Sequence, residues 1–231
     1  MAVSLPGTSD NVLTAASLTG YTAFPITLIC WTKQSSFSGA RMGGIGNSAS
    51  DNGLMWFRND SPDRLVARLI AVSSADDAAA TTPTTSTWVF SAFKFEGHNV
   101  TPDSTNKVFA SVGGTAWGSG TASSMLMASG INQAILGRFA NNEVTGHGAA
   151  EYAHYAVFKS SLSNAALTAL AAGANPKDYS PTDYWTLDST LANEMGGRPS
   201  FSYPSSVTYT TGPTINAPAP PATRRPIVMV M

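Results

Sequence analysis

The chain repeats a pattern of short apolar runs separated by turn-forming residues. Each run is rich in β-branched or aromatic side chains and is bounded by Gly, Pro, Asn, Asp or Ser, which is typical of β-strands. The runs lie at 11–15, 24–33, 53–58, 64–72, 88–95, 107–112, 133–139 and 150–159. This regular succession of strands predicts an all-β fold of the sandwich type.

The run 88–95 is apolar on both of its faces. Because side chains alternate along a strand, Trp88 and Phe90 lie on one face and Phe93 and Phe95 lie on the other. Such a strand needs cover on both sides. We therefore expect either a central strand that is covered on both sides or a strand near a bend where the chain crosses between sheets.

A single helix is predicted from Ser163 to Ala172. The Ser163 hydroxyl can accept a hydrogen bond from a first-turn amide, and Gly173 can take the left-handed conformation that ends a helix. Pro176 then prevents the helix from continuing. One short helix after two strands, in a chain that is otherwise β-like, is typical of a jelly-roll sandwich.

Three further segments are assigned from their composition. The segment 73–87 consists of small and polar residues, and the segment 140–150 is polar and rich in glycine. Both are predicted to be surface loops. After the helix, the segment 182–190 is predicted to return to the sandwich as a strand.

The chain divides into one domain and an arm. Residues 1–212 are predicted to form the sandwich. Residues 213–231 are predicted to form an extended arm that is proline-rich from Ala217 and apolar from Ile227. The arm can either fold back onto its own domain or add to a sheet edge or groove of a neighbouring subunit. The partner-binding residues predicted in it are Arg224, Arg225, Ile227, Val228, Met229 and Val230.

The chain carries few charges for its length. Of its 231 residues 12% are Asp, Glu, Lys or Arg, and the formal net charge is -1. It lacks the clustered Lys and Arg of a nucleic-acid-binding surface, and no apolar run reaches the roughly 18 residues of a membrane span. The N-terminal sequence has no signal-peptide pattern, so we expect a protein made in the cytoplasm. Cys30, the only cysteine, is predicted to be a buried thiol.

No catalytic, metal or cofactor site is predicted. Concanavalin A-like glycosidases place carboxylates on one strand as E-x-D-x-x-E, and no Glu of this chain has that spacing. His147, Glu151 and His154 are residue types that bind metals, but alternation along a strand puts Glu151 and His154 on opposite faces. No acidic cluster has the spacing of an EF-hand calcium loop.

Trp117 is the aromatic candidate for a binding role. It lies between glycines in a predicted loop, from which it can stack on a sugar ring or insert into a partner. The alternative is that it packs over the edge of its own sandwich. Trp31, Trp88 and Trp185 lie inside strand patterns and are predicted to be core residues. The strand pattern does not show whether Trp56 is a core residue or a binding residue.

The order of several segments resembles the concanavalin A-like, laminin-G-like jelly rolls. The segments are GTSDNVLT, FPITLICWTK, WVFSAFKF, KVFASVGG, ILGR and AEYAHYAVFKSSLSNAALTALAAG. The residues that match the family pattern are Trp88, Gly113, Gly137, Glu151, Tyr155, Leu162, Leu167 and Leu170. The resemblance covers roughly residues 5–210. It implies an antiparallel two-sheet jelly-roll sandwich with one short helix, here followed by the extended arm.

The chain departs from the family pattern at two places. Ala150 and Glu151 stand where the family has Asp-Glu, and Gly113 and Gly114 stand where it has Asn-Gly. The polar groups that are lost would help a calcium or sugar site in some relatives. The departures therefore weaken the case for such a site at these positions.

The resemblance extends to versions of this fold in tailed bacteriophages and prophages, through the YWTL run and the proline-rich tail with Arg-Arg-Pro. It implies a non-enzymatic virion protein, and we expect a capsid decoration or cement protein that binds the shell through its loops and arm. The partners would be the major capsid protein or other virion subunits. The chain would form a homo-oligomer located in the virion, assembled in the cytoplasm of the bacterial host. The alternatives are a carbohydrate-binding module of a phage spike or tail and, more remotely, a glycosidase.

Overall fold

Over the residues that the structure describes, the fold consists of two antiparallel β-sheets, one α-helix and one short 3₁₀ helix. The computed structural model describes residues 1–6, 12–34, 41–50, 52–60, 63–71, 74–80, 84–97, 107–114, 116–121, 130–138, 149–203 and 207–217. In chain order the strands are β1 (Ala2–Pro6), β2 (Leu13–Ala16), β3 (Ile26–Lys33), β4 (Arg41–Gly46), β5 (Gly53–Asp60), β6 (Asp63–Ala71), β7 (Ser74–Ala80), β8 (Val89–Glu96), β9 (Lys107–Val112), β10 (Ala116–Thr121), β11 (Gln133–Leu136), β12 (Ala149–Phe158), β13 (Asp183–Trp185) and β14 (Thr208–Thr210). The helix α1 spans Asn164–Ala171, and the 3₁₀ helix spans Pro176–Tyr179.

The strand order is that of a two-sheet jelly-roll sandwich. The first sheet runs β10-β9-β8-β3-β12-β1-β14, and β13 pairs with β12 beside β1. The second sheet runs β2-β11-β4-β5-β6-β7. Strands that are far apart in sequence, such as β3 and β12, are neighbours in the sheet, so the predicted all-β sandwich with one short helix is confirmed.

Two segments that were predicted to be loops are strands. The segment 73–87 contains β7, which pairs with β6, and Trp117 lies in β10 opposite Ser111 of β9. Both strands lie at sheet edges. Backbone hydrogen bonds to a single neighbour can hold such a strand even when its own sequence shows no apolar alternation.

β4 is another strand that the apolar pattern does not reveal, because its sequence is RMGGIG. A Cβ atom at Gly43 would meet the carbonyl oxygen of Ile135, and one at Gly44 would meet that of Leu54. The strand therefore needs glycine to fit between β11 and β5.

The core between the sheets is centred on a group of buried aromatic rings. The ring of Trp56 lies 5.2 Å from that of Phe93 and 5.3 Å from that of Tyr155. Trp185 stacks on Tyr155 at 5.4 Å and contacts Phe201 at 4.7 Å. Trp56 comes from the second sheet and Phe93 and Tyr155 from the first, so the rings join the two sheets. Trp185 is a core residue as predicted.

A second apolar layer covers the outer face of the first sheet. It is formed where α1 and the C-terminal segment pack on the strands, and its buried members are Ala2, Ile29, Trp31, Phe90, Ala92, Ala153, Ala156, Phe158, Leu162, Leu167, Leu170 and Tyr184. Both faces of β8 are therefore covered, which confirms the prediction for that strand. Trp31 is buried and Trp88 is partly buried in this layer.

The helix has the ends that its sequence predicts. Ser163 Oγ accepts a hydrogen bond from the Ala166 amide at 3.2 Å, and Gly173 takes a φ of +96° after the last turn. Pro176 starts the 3₁₀ helix rather than extending α1. Within the described residues, no helix is long and apolar enough to cross a membrane.

A bulge in β12 corrects the predicted faces of Glu151 and His154. The pairing with β3 shifts register between Ala153 and Ala156, and His154 has a φ of +51°. The extra residue reverses the alternation, so that Tyr155 faces the core between the sheets. The His154 ring then lies in the outer layer, on the same side as Glu151, and the prediction of opposite faces was wrong because it assumed a regular strand.

A buried carboxylate ties the C-terminal segment to the sandwich. Asp183, which is fully buried, accepts hydrogen bonds from Arg198 Nε at 2.8 Å and Nη2 at 2.6 Å. It also accepts from Asn193 Nδ2 at 2.6 Å and from the Tyr21 hydroxyl. Burial, with the Asp183 charge beside it, raises the pKa of Tyr21. Four donors thus compensate the cost of burying this charge.

Replacing this carboxylate is expected to destabilise the fold strongly. The change Asp183→Asn removes the charge that Arg198 pairs with, and breaking a buried pair costs about 3–5 kcal/mol. The control is Glu194→Gln, which breaks a partly exposed pair with Lys177 and should cost about 1 kcal/mol or less. The free energy of unfolding in urea measures both, and equal losses would contradict the role given to Asp183.

Candidate functional site

The predicted partner-binding residues lie mostly outside the described residues. This holds for Arg224, Arg225, Ile227, Val228, Met229 and Val230. His147, which the sequence analysis considered only as a metal-binding residue type, also lies outside the described residues. The backbone of Trp117 is in an edge strand rather than a loop. Its role in binding stays a prediction, as does that of the arm residues.

His154 is held in a packed environment. Its Nδ1 atom shares a hydrogen bond of 2.6 Å with the Tyr184 hydroxyl, and its ring lies 5.8 Å from that of Trp31. Burial lowers its pKa to about 4, against a smaller opposing effect of the Asp188 carboxylate. His154 is therefore a neutral structural residue at pH 7. Among the described residues, no group of three or more His, Cys, Asp or Glu is placed to hold a metal ion.

A polar row crosses the first sheet near one end of its central strands. Lys33 of β3 is opposite Glu151 of β12, and Glu151 is also opposite Ser4 of β1. Ser4 is in turn opposite Thr208 of β14. One residue from each of four adjacent strands therefore contributes to this row, although the four positions are far apart in sequence.

The centre of the row is an ion pair that is open to solvent on one side. Lys33 Nζ lies 2.8 Å from Glu151 Oε1, and the side chains of Lys33 and Glu151 are 33% and 20% exposed. The other carboxylate oxygen of Glu151 accepts a hydrogen bond from the Thr210 hydroxyl. A cation, a carboxylate and a hydroxyl thus lie side by side.

The ion pair lies in a cleft of about 550 Å³ at this end of the sheet. The described residues that line it are Ser4, Leu5, Pro6, Lys33, Gln34, Ser86, Ala149, Ala150 and Glu151. The Ser86 amide donates to the Gln34 carbonyl at 2.6 Å, which joins the segment before β8 to the end of β3. We name this space, with its lining residues, the Lys33–Glu151 cleft.

Reasoning from the sequence missed Lys33 and Ser4, and it considered Glu151 only as a family marker and as a metal-binding residue type. Lys33 ends a predicted strand and Glu151 begins another, which is a weak signal for an exposed polar end. The register that places them opposite each other joins positions separated by 118 residues. No local pattern contains that register.

Comparison with known proteins supports the fold alone. No protein-family model and no curated protein matches the sequence. A candidate carbohydrate-binding protein from Bacteroides ovatus is 14% identical with a TM-score of 0.61, over 94% of this chain and 60% of that one. Mouse laminin alpha1 domains LG4-5 are 12% identical with a TM-score of 0.53, over 71% of this chain and 43% of theirs.

The receptor-binding domain of botulinum neurotoxin type G is 10% identical with a TM-score of 0.53, over 73% of this chain. The match spans only 41% of that domain's length. With such neighbours, the chain has the concanavalin A-like, laminin-G-like jelly-roll fold. The resemblance to this fold that the sequence suggested is confirmed.

Lowering the pH is expected to destabilise the protein through His154. Its pKa in the folded state is about 4, whereas a histidine in the unfolded chain titrates near 6.5. Between these values the unfolded chain binds more protons, so stability falls by about 1 kcal/mol per pH unit as the pH drops. The measurement is the free energy of unfolding in urea at pH 7, 6 and 5.

The control for this experiment is His154→Asn. Asparagine tolerates the positive φ at this position and does not titrate. The variant should lose less stability than the wild type between pH 7 and pH 5. Parallel pH dependences of the two proteins would show that His154 is not the titrating group.

Proposed function

We propose that the chain is a non-catalytic binding domain and that the Lys33–Glu151 cleft takes a carbohydrate. The observation that carries the proposal is the partly exposed ion pair at the cleft. A sugar hydroxyl both accepts and donates hydrogen bonds. It can therefore accept from Lys33 Nζ and donate to a Glu151 oxygen at the same time, with Ser4 and Ser86 as further partners.

The size of the cleft agrees with this proposal. Small-molecule sites commonly have volumes of about 300–1,000 Å³ with a few convergent polar groups, and the cleft measures about 550 Å³. The matched structures from Bacteroides ovatus and from the neurotoxin are described as carbohydrate-binding and receptor-binding, respectively. Those descriptions apply to those proteins, and they support the proposal only as functions that this fold performs.

The carboxylate in the cleft is poorly placed for glycoside hydrolysis. That chemistry uses two carboxyl groups on either side of the scissile bond. Glu151 is the only carboxylate among the described residues that line the cleft, and it is engaged by Lys33 and Thr210. A binding function therefore accounts for these residues better than a glycosidase does.

Substituting either member of the ion pair is expected to weaken sugar binding without unfolding the protein. The wild type would be screened on an array of neutral and acidic oligosaccharides, and the best ligand would then be titrated by calorimetry. Glu151→Gln and Lys33→Met should each weaken binding by about tenfold or more, because each removes a charged hydrogen-bond partner. Stability should change by about 1 kcal/mol or less, since the pair is partly exposed.

The matched control is Lys177→Met, which removes the lysine of a similar ion pair with Glu194 outside the cleft. It should bind the ligand as the wild type does. A wild type that binds no oligosaccharide at millimolar concentration, or cleft variants that bind normally, would refute the carbohydrate proposal.

Assembly into a virus particle is the second candidate function. A role as a decoration or cement protein on a bacteriophage capsid, located in the virion, stays a prediction from the sequence. It is supported by the low charge of the chain and by the Pro-rich segment that follows residue 217. Imaging of a particle that contains the protein would test this role directly.

A further inference from the structure

A groove lies beside helix α1 on the outer face of the first sheet, on the side of β8 and β9. Its volume is about 470 Å³. The described residues that line it are Thr84, Trp88, Val89, Phe90, Val112, Gly113, Thr168, Ala171 and Ala172. None of these is charged, and Trp88 and Val112 are only partly buried. We call this space the Trp88 groove.

The last described residues, 211–217, run beside this groove. The Thr211 carbonyl accepts a hydrogen bond from Trp88 Nε1 at 3.3 Å. The Asn216 amide then donates to the Gly173 carbonyl at 2.8 Å, and the Asn216 carbonyl accepts from Asn175 Nδ2 at 2.9 Å. The last described residue, Ala217, therefore lies next to the end of α1, and Ala171 and Ala172 at that end line the groove.

The sequence beyond Ala217 has a stiff part followed by an apolar part. Residues 218–226 contain four prolines, Pro218, Pro220, Pro221 and Pro226, and the next five residues are Ile-Val-Met-Val-Met. We propose that the Trp88 groove binds the apolar segment 227–231 of a second copy of this chain.

The length of the proline-rich part favours a second copy over the same chain. Such a sequence prefers the polyproline II form, which rises about 3.1 Å per residue, so residues 218–226 span about 28 Å. Because Ala217 lies beside the groove, a spacer that adopts this form would place the apolar part at a distance from that groove. Return to the same groove would require this stiff spacer to reverse its direction.

The chemistry of the groove matches this occupant. Apolar side chains gain about 25 cal/mol for each Å² removed from water. Trp88 and Val89, which line the groove and are only partly buried, supply apolar surface without a charge that would lose hydration. The Thr168 hydroxyl donates to the Asn164 carbonyl, and the Thr84 hydroxyl bonds that of Thr87. Each oxygen keeps a lone pair that can accept a hydrogen bond from the amide of an extended backbone. A strongly polar ligand would find no ionic partner among these residues, in contrast to the Lys33–Glu151 cleft.

The proposal is tested by the self-association of the full chain. Its average mass would be measured by sedimentation and light scattering from micromolar to millimolar concentration, where the wild type should associate reversibly. Thr168→Lys places a charge in the groove from an exposed helix position and should weaken association by about tenfold or more. Ala165→Lys adds the same side chain at an exposed position outside the groove lining and should associate as the wild type does.

A second variant changes the occupant instead of the groove. Because side chains alternate along an extended segment, Val228→Asp combined with Met229→Asp alters both of its sides. This variant should also be monomeric. Mixed with Thr168→Lys, it should form a one-to-one complex, since one protein retains the groove and the other retains the segment.

Several results would overturn the proposal. They are a wild type that stays monomeric over the whole range, an arm variant that associates normally, and a Thr168→Lys variant that associates like Ala165→Lys. The NMR signal of the Trp88 indole would also be compared between the wild type and the Val228→Asp, Met229→Asp double variant. If the wild type is monomeric and this signal differs between the two, the segment 227–231 binds the groove of its own chain, and a second copy is excluded. Because the two sites share no residue, failure of sugar binding in the Lys33–Glu151 cleft leaves this result unaffected.

Discussion

The first sheet buries both of its faces, and its central strand β12 has to satisfy two apolar layers at once. Tyr152, Tyr155 and Val157 pack in the core between the sheets, whereas Ala153, Ala156 and Phe158 pack in the outer layer. Full burial of an apolar side chain the size of Val157 or Phe158 contributes about 1.5–3 kcal/mol. The bulge at His154 adds one residue to β12 and thereby reverses which side chains face each layer. As a result, the side chains on both sides of the bulge are buried in one layer or the other.

The sites of the molecule lie where this double burial stops. Ala153 is the last residue of the outer layer toward the N-terminal end of β12. Nearer that end, the same face of β12 carries Glu151, which pairs with Lys33 and remains partly exposed. At the other side of the layer, α1 leaves the Trp88 groove open beside β8 and β9. A charged cleft and an uncharged groove thus border the same apolar layer, and their different linings suit them to ligands of different chemistry.

Most of the architecture could be predicted from the apolar pattern. The strands β3, β5, β6, β8, β9, β11 and β12 and the helix α1 follow from alternation, turn residues and capping, because these signals are local. The strands β4, β7 and β10 could not be predicted in this way. They are rich in small residues, and the backbone pairing that holds them comes from neighbouring strands.

The Lys33–Glu151 cleft depends on strand register, which short-range sequence patterns do not contain. Glu151 is recognisable as a polar residue at the start of a strand, but its partner Lys33 is 118 residues away. The sequence by itself determined the all-β class, the helix with its caps, and the low charge of the surface, since these depend on composition and short-range order. Only the tertiary structure decided which polar residues meet and which way His154 faces. Strand register and a single bulge are set by the packing of the whole sheet against its two layers.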